Sequence, residues 1–173
     1  MMTRSELPNP NPALTIASDE RETIFMVDGP PKTIAIDPDD YHAQHVGHTA
    51  DGRQFFLTTP FEPAIGGRAG SEFVAMYLFD ATGKLLEARI DDFGPRAVQD
   101  REKRQVFEQR LRELGNVTFQ RIQIAPFAVE RFGTIFGLIL RPSEQEAGGW
   151  WVEVEPGNYM AFHEPWDSGE YDT

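Results

Sequence analysis

The sequence predicts an α+β fold, in which a mostly antiparallel sheet carries one principal amphipathic helix. Two hairpin patterns and one helical period support this prediction. Each hairpin pattern consists of two strand-forming runs joined by a short turn that contains glycine. The helical segment starts at Gly94-Pro95, since proline suits the first turn of a helix, and it ends before Gly115. Because hairpins pair strands in opposite directions, a helix across one sheet face completes an α+β arrangement.

The first hairpin turns at Asp51-Gly52, and the second turns at residues 80–83. Their four strands are expected over residues 41–49, 53–59, 72–79 and 84–90. Residues 73–79 are apolar throughout, which is typical of a strand that is covered on both faces. We therefore expect this strand inside the sheet. Residues 60–70 contain three glycines and two prolines, and they are interpreted as a mobile loop.

The helix is expected over residues 95–114. Phe107, Leu111 and Leu114 follow the i, i+4, i+7 spacing of an apolar stripe that packs on a sheet. Further strands are expected over residues 23–27, 33–36, 117–124, 132–140, 150–155 and 159–163.

Residues 1–20 are predicted to be a flexible N-terminal arm, and residues 21–173 a single α+β domain. Within the arm, Pro8, Pro10 and Pro12 alternate with asparagine, and no apolar period is present. The remainder shows neither an internal repeat nor a composition shift that would divide it. Its length is typical of one domain.

Charge and composition exclude several classes of function. The chain has 28 acidic and 16 basic residues, a net charge of −12, so it repels phosphate backbones and no nucleic-acid partner is expected. It has no cysteine, which removes thiol chemistry and cysteine-bound zinc. No apolar run is long enough for a membrane span, and the first residues lack the apolar core of a signal peptide. We expect a cytoplasmic protein without a membrane partner and without a cofactor.

Three histidines, His42, His45 and His48, lie within seven residues. Imidazole binds zinc, copper and iron, so the cluster is a candidate metal site. On a strand, His42 and His48 would share a face and His45 would point away, which leaves His163 or a carboxylate as a further ligand. The alternative interpretation is a polar strand with partly exposed histidines.

Aromatic and charged residues supply the other candidate sites. Trp151, Trp166 and Tyr171 belong to an aromatic, acidic C-terminal segment, where they either form a binding platform or hold the tail against the core. Arg68, in the glycine-rich loop, is a candidate anion contact. Asp91-Asp92 suits either helix N-terminal charge or acid–base chemistry.

Three runs carry a resemblance to a known group: GRQFFLTTP at 52–60, LLEARIDD at 85–92 and PGNYMAFHEPWD at 156–167. Over residues 41–173 the chain resembles uncharacterised bacterial proteins, some of which are labelled formate hydrogenlyase regulatory protein. This resemblance implies a regulatory or binding role in bacteria, and it supplies no catalytic residues.

The sequence therefore predicts a non-enzymatic binding or regulatory protein, whose partner is a protein or a small molecule. The absence of nucleophile and phosphate-loop motifs favours this reading. The alternative is a metal-dependent enzyme or metal sensor that uses His42, His45 and His48.

Overall fold

The computed structural model describes residues 29–95, 100–157 and 159–173. The predicted arm, 1–20, and the predicted strand at 23–27 lie outside the described residues, as does part of the predicted start of the helix. The elements are β1 (Ile34–Ile36), β2 (His45–Thr49), β3 (Gln54–Thr58), β4 (Phe61–Glu62), β5 (Ser71–Phe79), β6 (Leu85–Asp92), α1 (Asp100–Glu113), β7 (Val117–Phe119), β8 (Ile122–Ile124), β9 (Phe127–Arg131), β10 (Thr134–Pro142), β11 (Trp150–Glu155) and β12 (Ala161–Phe162). Antiparallel sheet is thus the main secondary structure of the described chain, and it is accompanied by one helix.

The main sheet has six strands, all antiparallel, and β5 lies at its centre. β5 pairs with β6 from Phe73 to Phe79 and with β3 from Ala75 to Phe79, and its first two residues pair with β4. Every residue from Phe73 to Phe79 is at most 5% exposed. The prediction of an inner strand that is covered on both faces is confirmed, and both predicted hairpins are present.

A second, four-stranded sheet in the order β12-β11-β10-β9 packs on one face of the main sheet. Alternate residues of β10 and β11 point into this interface, as the two-residue period of a strand requires. There Phe136 meets Phe73 with ring centroids 4.9 Å apart, and Phe127 meets Tyr77 at 4.8 Å. A two-stranded ribbon of β1 and β8 adds its isoleucines to the same core.

Helix α1 covers the opposite face of the main sheet. Phe107, Leu111 and Leu114 pack against a second apolar cluster around Phe55 and Met76, as their spacing predicted. None of the fourteen helix residues is fully buried, however. The description of a principal amphipathic helix was therefore too strong, because most of the apolar burial occurs between the two sheets. Among the described residues, this helix is too short and too polar to cross a membrane.

Three local predictions were wrong. Residues 117–124 form two strands rather than one, because β7 pairs with β2 and β8 pairs with β1. Residues 60–70, expected as a mobile loop, form a hairpin in which β4 pairs with the start of β5 and the tip closes between Ile65 and Arg68. Strand β9 was not expected at all, because its alternation of polar and apolar residues is weak.

The C-terminal tail packs on the domain core. Trp166 and Tyr171 are half-buried against the core between the sheets. The backbone oxygen of Trp166 accepts a hydrogen bond of 2.8 Å from the N–H of Ala35, and Asp172 pairs with Ala161. The guanidinium of Arg121 donates hydrogen bonds to both carboxylate oxygens of Asp37, and these bonds lower the pKa of the Asp37 carboxyl. The same guanidinium donates to the backbone oxygens of Asp167 and Ser168 in the tail.

Candidate functional site

A cleft of about 650 Å³ opens at a gap in the main sheet. β2 pairs with β3 only as far as His45, which lies opposite Leu57, whereas β3 continues to Thr58 and the chain runs on into β4. The missing strand positions leave a concavity that is walled by the hairpin at 60–70, the first half of α1 and the turn after β11. We call it the strand-end cleft. Its lining includes Tyr41, His42, His45, Leu57, Phe61, Glu62, Glu72, Lys103, Phe107 and Tyr159.

Two of the three clustered histidines line this cleft. Strand β2 begins only at His45, and the residues before it form a turn in which the Asp39 carboxylate accepts hydrogen bonds of 2.8 Å from the N–H groups of Tyr41 and Ala43. The turn brings His42 to the same cleft as His45. The strand alternation expected for residues 41–49 was therefore wrong, since it placed these two histidines on opposite faces.

The other predicted metal ligands lie elsewhere. His48 contacts the backbone oxygen of Arg121 through Nε2, at 3.0 Å. His163 stacks on Trp151 with ring centroids 6.4 Å apart, and its Nε2 is 3.4 Å from an Asp172 carboxylate oxygen. Across residues 29–95, 100–157 and 159–173, no three histidine, aspartate or glutamate side chains converge as a metal site. The structure thus does not bring His42, His48 and His163 together.

Both histidines of the cleft pack against aromatic rings. His45 meets Phe107 and Phe119 edge to face, with centroids 4.9 and 5.6 Å apart, and its burial lowers the pKa of the imidazole. At neutral pH we therefore expect a neutral ring. His42 lies edge-on to Tyr41, and its Nδ1 is buried without a hydrogen-bond partner in the described part of the chain. Such an atom is costly to leave unsatisfied, by about 1–3 kcal/mol.

Of the two described carboxylates in the cleft, one is paired with a cation and the other is not. Lys103 forms an ion pair with Glu72, and the two side chains are only 22% and 17% exposed. Lys103 also lies 3.7 Å from Asp100. Glu62 accepts a hydrogen bond of 2.8 Å from the hydroxyl of Thr134, and among the described residues it has no ion-pair partner. The cleft therefore holds one carboxylate whose charge is not balanced by a nearby described cation.

The turn after β11 supplies the aromatic rim. Gly157 comes so close to β4 that a Cβ there would lie 2.1 Å from the backbone oxygen of Phe61, so only glycine allows this approach. Tyr159 is 65% exposed, with its ring centroid 5.7 Å from that of Phe61. Its φ of 54° lies in the left-handed region, which bulky side chains rarely occupy. Backbone outliers of this kind are a recognised feature of functional sites.

The predicted binding residues are scattered. Arg68 is exposed at the tip of the hairpin that walls the cleft. Trp166 and Tyr171 belong to the packed tail, which favours the interpretation that they hold it in place. Trp151 is half-buried beside a separate concavity of about 720 Å³, which Glu144, Glu146 and Glu164 also line. The four residues do not form one site.

The Asp91-Asp92 pair has a structural role that differs from the predicted one. Asp91 forms a two-pronged ion pair with Arg110, near the end of α1 rather than at its start. Asp92 accepts a hydrogen bond from the N–H of Gly94. The direction of the helix explains the difference, because α1 runs back alongside β6 and brings its last turn to Asp91.

Sequence reasoning missed Glu62, Glu72, Lys103 and Tyr159, which come from three parts of the chain: the hairpin of β4 and β5, helix α1 and the turn after β11. None of them belongs to a sequence motif. Only Tyr159 could have been noticed from its neighbours, because it follows the turn-forming residues Pro156-Gly157-Asn158. No protein-family model, curated protein or solved structure matches the chain.

Proposed function

We propose that this protein is a non-enzymatic, regulatory binding protein of the cytoplasm, and that its ligand binds in the strand-end cleft. One observation carries the proposal: in a cleft of about 650 Å³, charged and polar groups converge beside aromatic and aliphatic side chains. Ligand pockets in proteins typically have volumes of about 300–1,000 Å³, and the polar groups in them fix the orientation of the ligand. The ligand is a small molecule or a short segment of a partner protein.

The contacts of the ionisable groups favour binding over catalysis. A catalytic base lies within hydrogen-bond reach of its nucleophile and is oriented by a third group. His42 and His45 instead pack against aromatic rings, and Lys103 is held by Glu72. The metal-dependent alternative draws no support from the described residues, because no three metal ligands converge there.

The net charge of −12 supports a partner other than nucleic acid, and two of the five basic residues of α1 are ion-paired. Lys103 and Arg110 are both engaged by carboxylates of the main sheet. Binding to phosphate backbones depends on clusters of Lys and Arg that are available to neutralise them.

A fragment screen by ¹H–¹⁵N NMR tests the proposal. We expect compounds that bind at millimolar concentration or tighter to shift the amide signals of cleft residues such as His45, Gly70 and Lys103. Ala64→Trp, which places a bulky side chain in the cleft wall, should abolish these shifts. The matched control is Ala81→Trp, at an exposed turn outside the cleft, which should leave them unchanged. The proposal fails when no fragment binds, or when binding survives Ala64→Trp and maps elsewhere.

A further inference from the structure

We infer that the ligand of the strand-end cleft is an organic cation, an alkylammonium group attached to an apolar or aromatic body. This inference rests on the proposed function, since it names the class of ligand for the same cleft. Three features of the described residues lead to it: the balance of charge, the aromatic rim and the available hydrogen-bond acceptors.

Among the residues that the structure describes, the charge balance of the cleft lining is negative. Its described ionisable lining includes two carboxylates, Glu62 and Glu72, and one ammonium group, Lys103. Lys103 and Glu72 neutralise each other, which leaves Glu62. His45 adds no charge at neutral pH, because burial favours its neutral form. The net charge of −12 on the whole chain adds an attractive field for cations.

The aromatic rim complements such a ligand. The faces of phenylalanine and tyrosine rings attract ammonium groups, and they pack equally well on an apolar body. Phe61 precedes Glu62 in β4, and its ring lies against that of Tyr159. The left-handed backbone of Tyr159 holds an exposed ring at the edge of the cleft. A carboxylate and aromatic rings therefore line the same concavity.

The carboxylate oxygens of the cleft suit a ligand that donates hydrogen bonds. An ammonium group only donates hydrogen bonds, and carboxylates only accept them. One oxygen of Glu62 already accepts a hydrogen bond from Thr134, which fixes the position of the side chain. An anionic ligand would instead face the unbalanced charge of Glu62 and would have to draw Lys103 away from Glu72.

A titration with three ligands that share a phenyl group on a two-carbon chain tests the inference: 2-phenylethylamine, 2-phenylethanol and 3-phenylpropionate. Isothermal calorimetry at pH 7 and low salt should show that the amine binds at least tenfold more tightly than the alcohol or the acid. Glu62→Gln should remove this advantage, because the amide keeps an acceptor for Thr134 and loses the charge. Glu144→Gln, at the separate concavity beside Trp151, is the matched control and should leave the advantage intact.

A second comparison separates the two sources of an ammonium group. A blocked peptide with one lysine is titrated beside its acetyl-lysine form and beside the free amine. Preference for the lysine peptide assigns the cleft to a partner protein, and preference for the free amine assigns it to a metabolite; both support the inference.

The inference and the proposed function can fail separately. If the alcohol or the acid binds in the cleft as tightly as the amine, or if Glu144→Gln and not Glu62→Gln removes the preference, the inference is overturned. It is also overturned if other fragments occupy the cleft and no amine does. The proposed function still stands whenever the alcohol, the acid or another fragment occupies the cleft. If nothing binds there, both are rejected.

Discussion

Gln54 should be one of the most sensitive positions in the protein, although it is polar. It lies on β3, is only 3% exposed, and joins the main sheet to the segment that forms β8. Its side-chain Nε2 donates hydrogen bonds to the backbone oxygens of Asp80, at 3.1 Å, and Gln123, at 3.0 Å. Its Oε1 accepts a hydrogen bond of 2.7 Å from the N–H of Gln123. One amide group thus satisfies three backbone atoms.

The expected loss follows from these three bonds. Gln54→Leu keeps a similar volume and removes all of them. A neutral hydrogen bond contributes about 1 kcal/mol net, so the free energy of unfolding should fall by about 3 kcal/mol. The loss should exceed this figure if the partner groups are left without water. Typical domains have about 5–15 kcal/mol of stability, so the change is large.

Urea unfolding at pH 7, followed by tryptophan fluorescence, measures the effect. Gln105→Leu is the matched control, because Gln105 is exposed on α1, and its free energy of unfolding should change by less than about 0.5 kcal/mol. A Gln54→Leu variant within about 1 kcal/mol of the wild type would refute the argument.

Gln54→Glu adds a test that depends on pH. The introduced carboxylate would face two carbonyl oxygens, so its pKa in the folded state should rise above the value of about 4.3 in the unfolded state. The folded state then binds more protons than the unfolded state, so stability is greatest below pH 4 and is lost as the pH rises through the folded pKa. Relative to the wild type at each pH, the variant should be less destabilised at pH 4 than at pH 7.

Three further predictions concern the tail, metal and nucleic acid. Deletion of residues 165–173 should lower the unfolding free energy by about 2–4 kcal/mol, and Trp166→Ala should account for much of the loss, because that side chain packs on the core; an unchanged urea midpoint would show that the tail is not docked. Protein purified without a His-tag should carry well under one equivalent of zinc, copper or iron by elemental analysis, and a combined His42→Ala and His48→Ala variant should melt close to the wild type; stoichiometric metal that the double variant loses would contradict this. The protein should not be retained on heparin or duplex DNA at physiological salt, since its net charge is −12 and Arg110 is ion-paired; tight, salt-sensitive retention would argue against it.

Individual turns, strands and the helix could be predicted from the sequence. The Asp51-Gly52 turn works because Gly52 adopts a φ of 86°, which is accessible to glycine. The burial of β5 could be predicted from its uninterrupted apolar run. The helical stripe could be predicted from the spacing of Phe107, Leu111 and Leu114. In each case the signal lies in residues that are neighbours in sequence.

Strand partners were much harder to predict. β7 and β8 are separated by two residues, yet they belong to different sheets. Likewise, nothing in the short run of β9 shows that it extends the second sheet beside β10. The pairings of β7 with β2 and of β8 with β1 join segments that are distant along the chain, and the choice depends on which apolar faces meet in the core.

The sequence by itself determined that the chain is an acidic, cysteine-free protein with hairpins, an inner strand and a histidine cluster, because composition and neighbouring residues carry that information. Only the tertiary structure decided which of those histidines belong together. β2 begins only at His45, opposite Leu57, while β3 continues beyond that point, and the gap that results collects Glu62, Glu72, Lys103 and Tyr159 around His42 and His45. The physical reason is that a cleft is formed by the ends and partners of strands, and those are set by packing between segments far apart in the sequence.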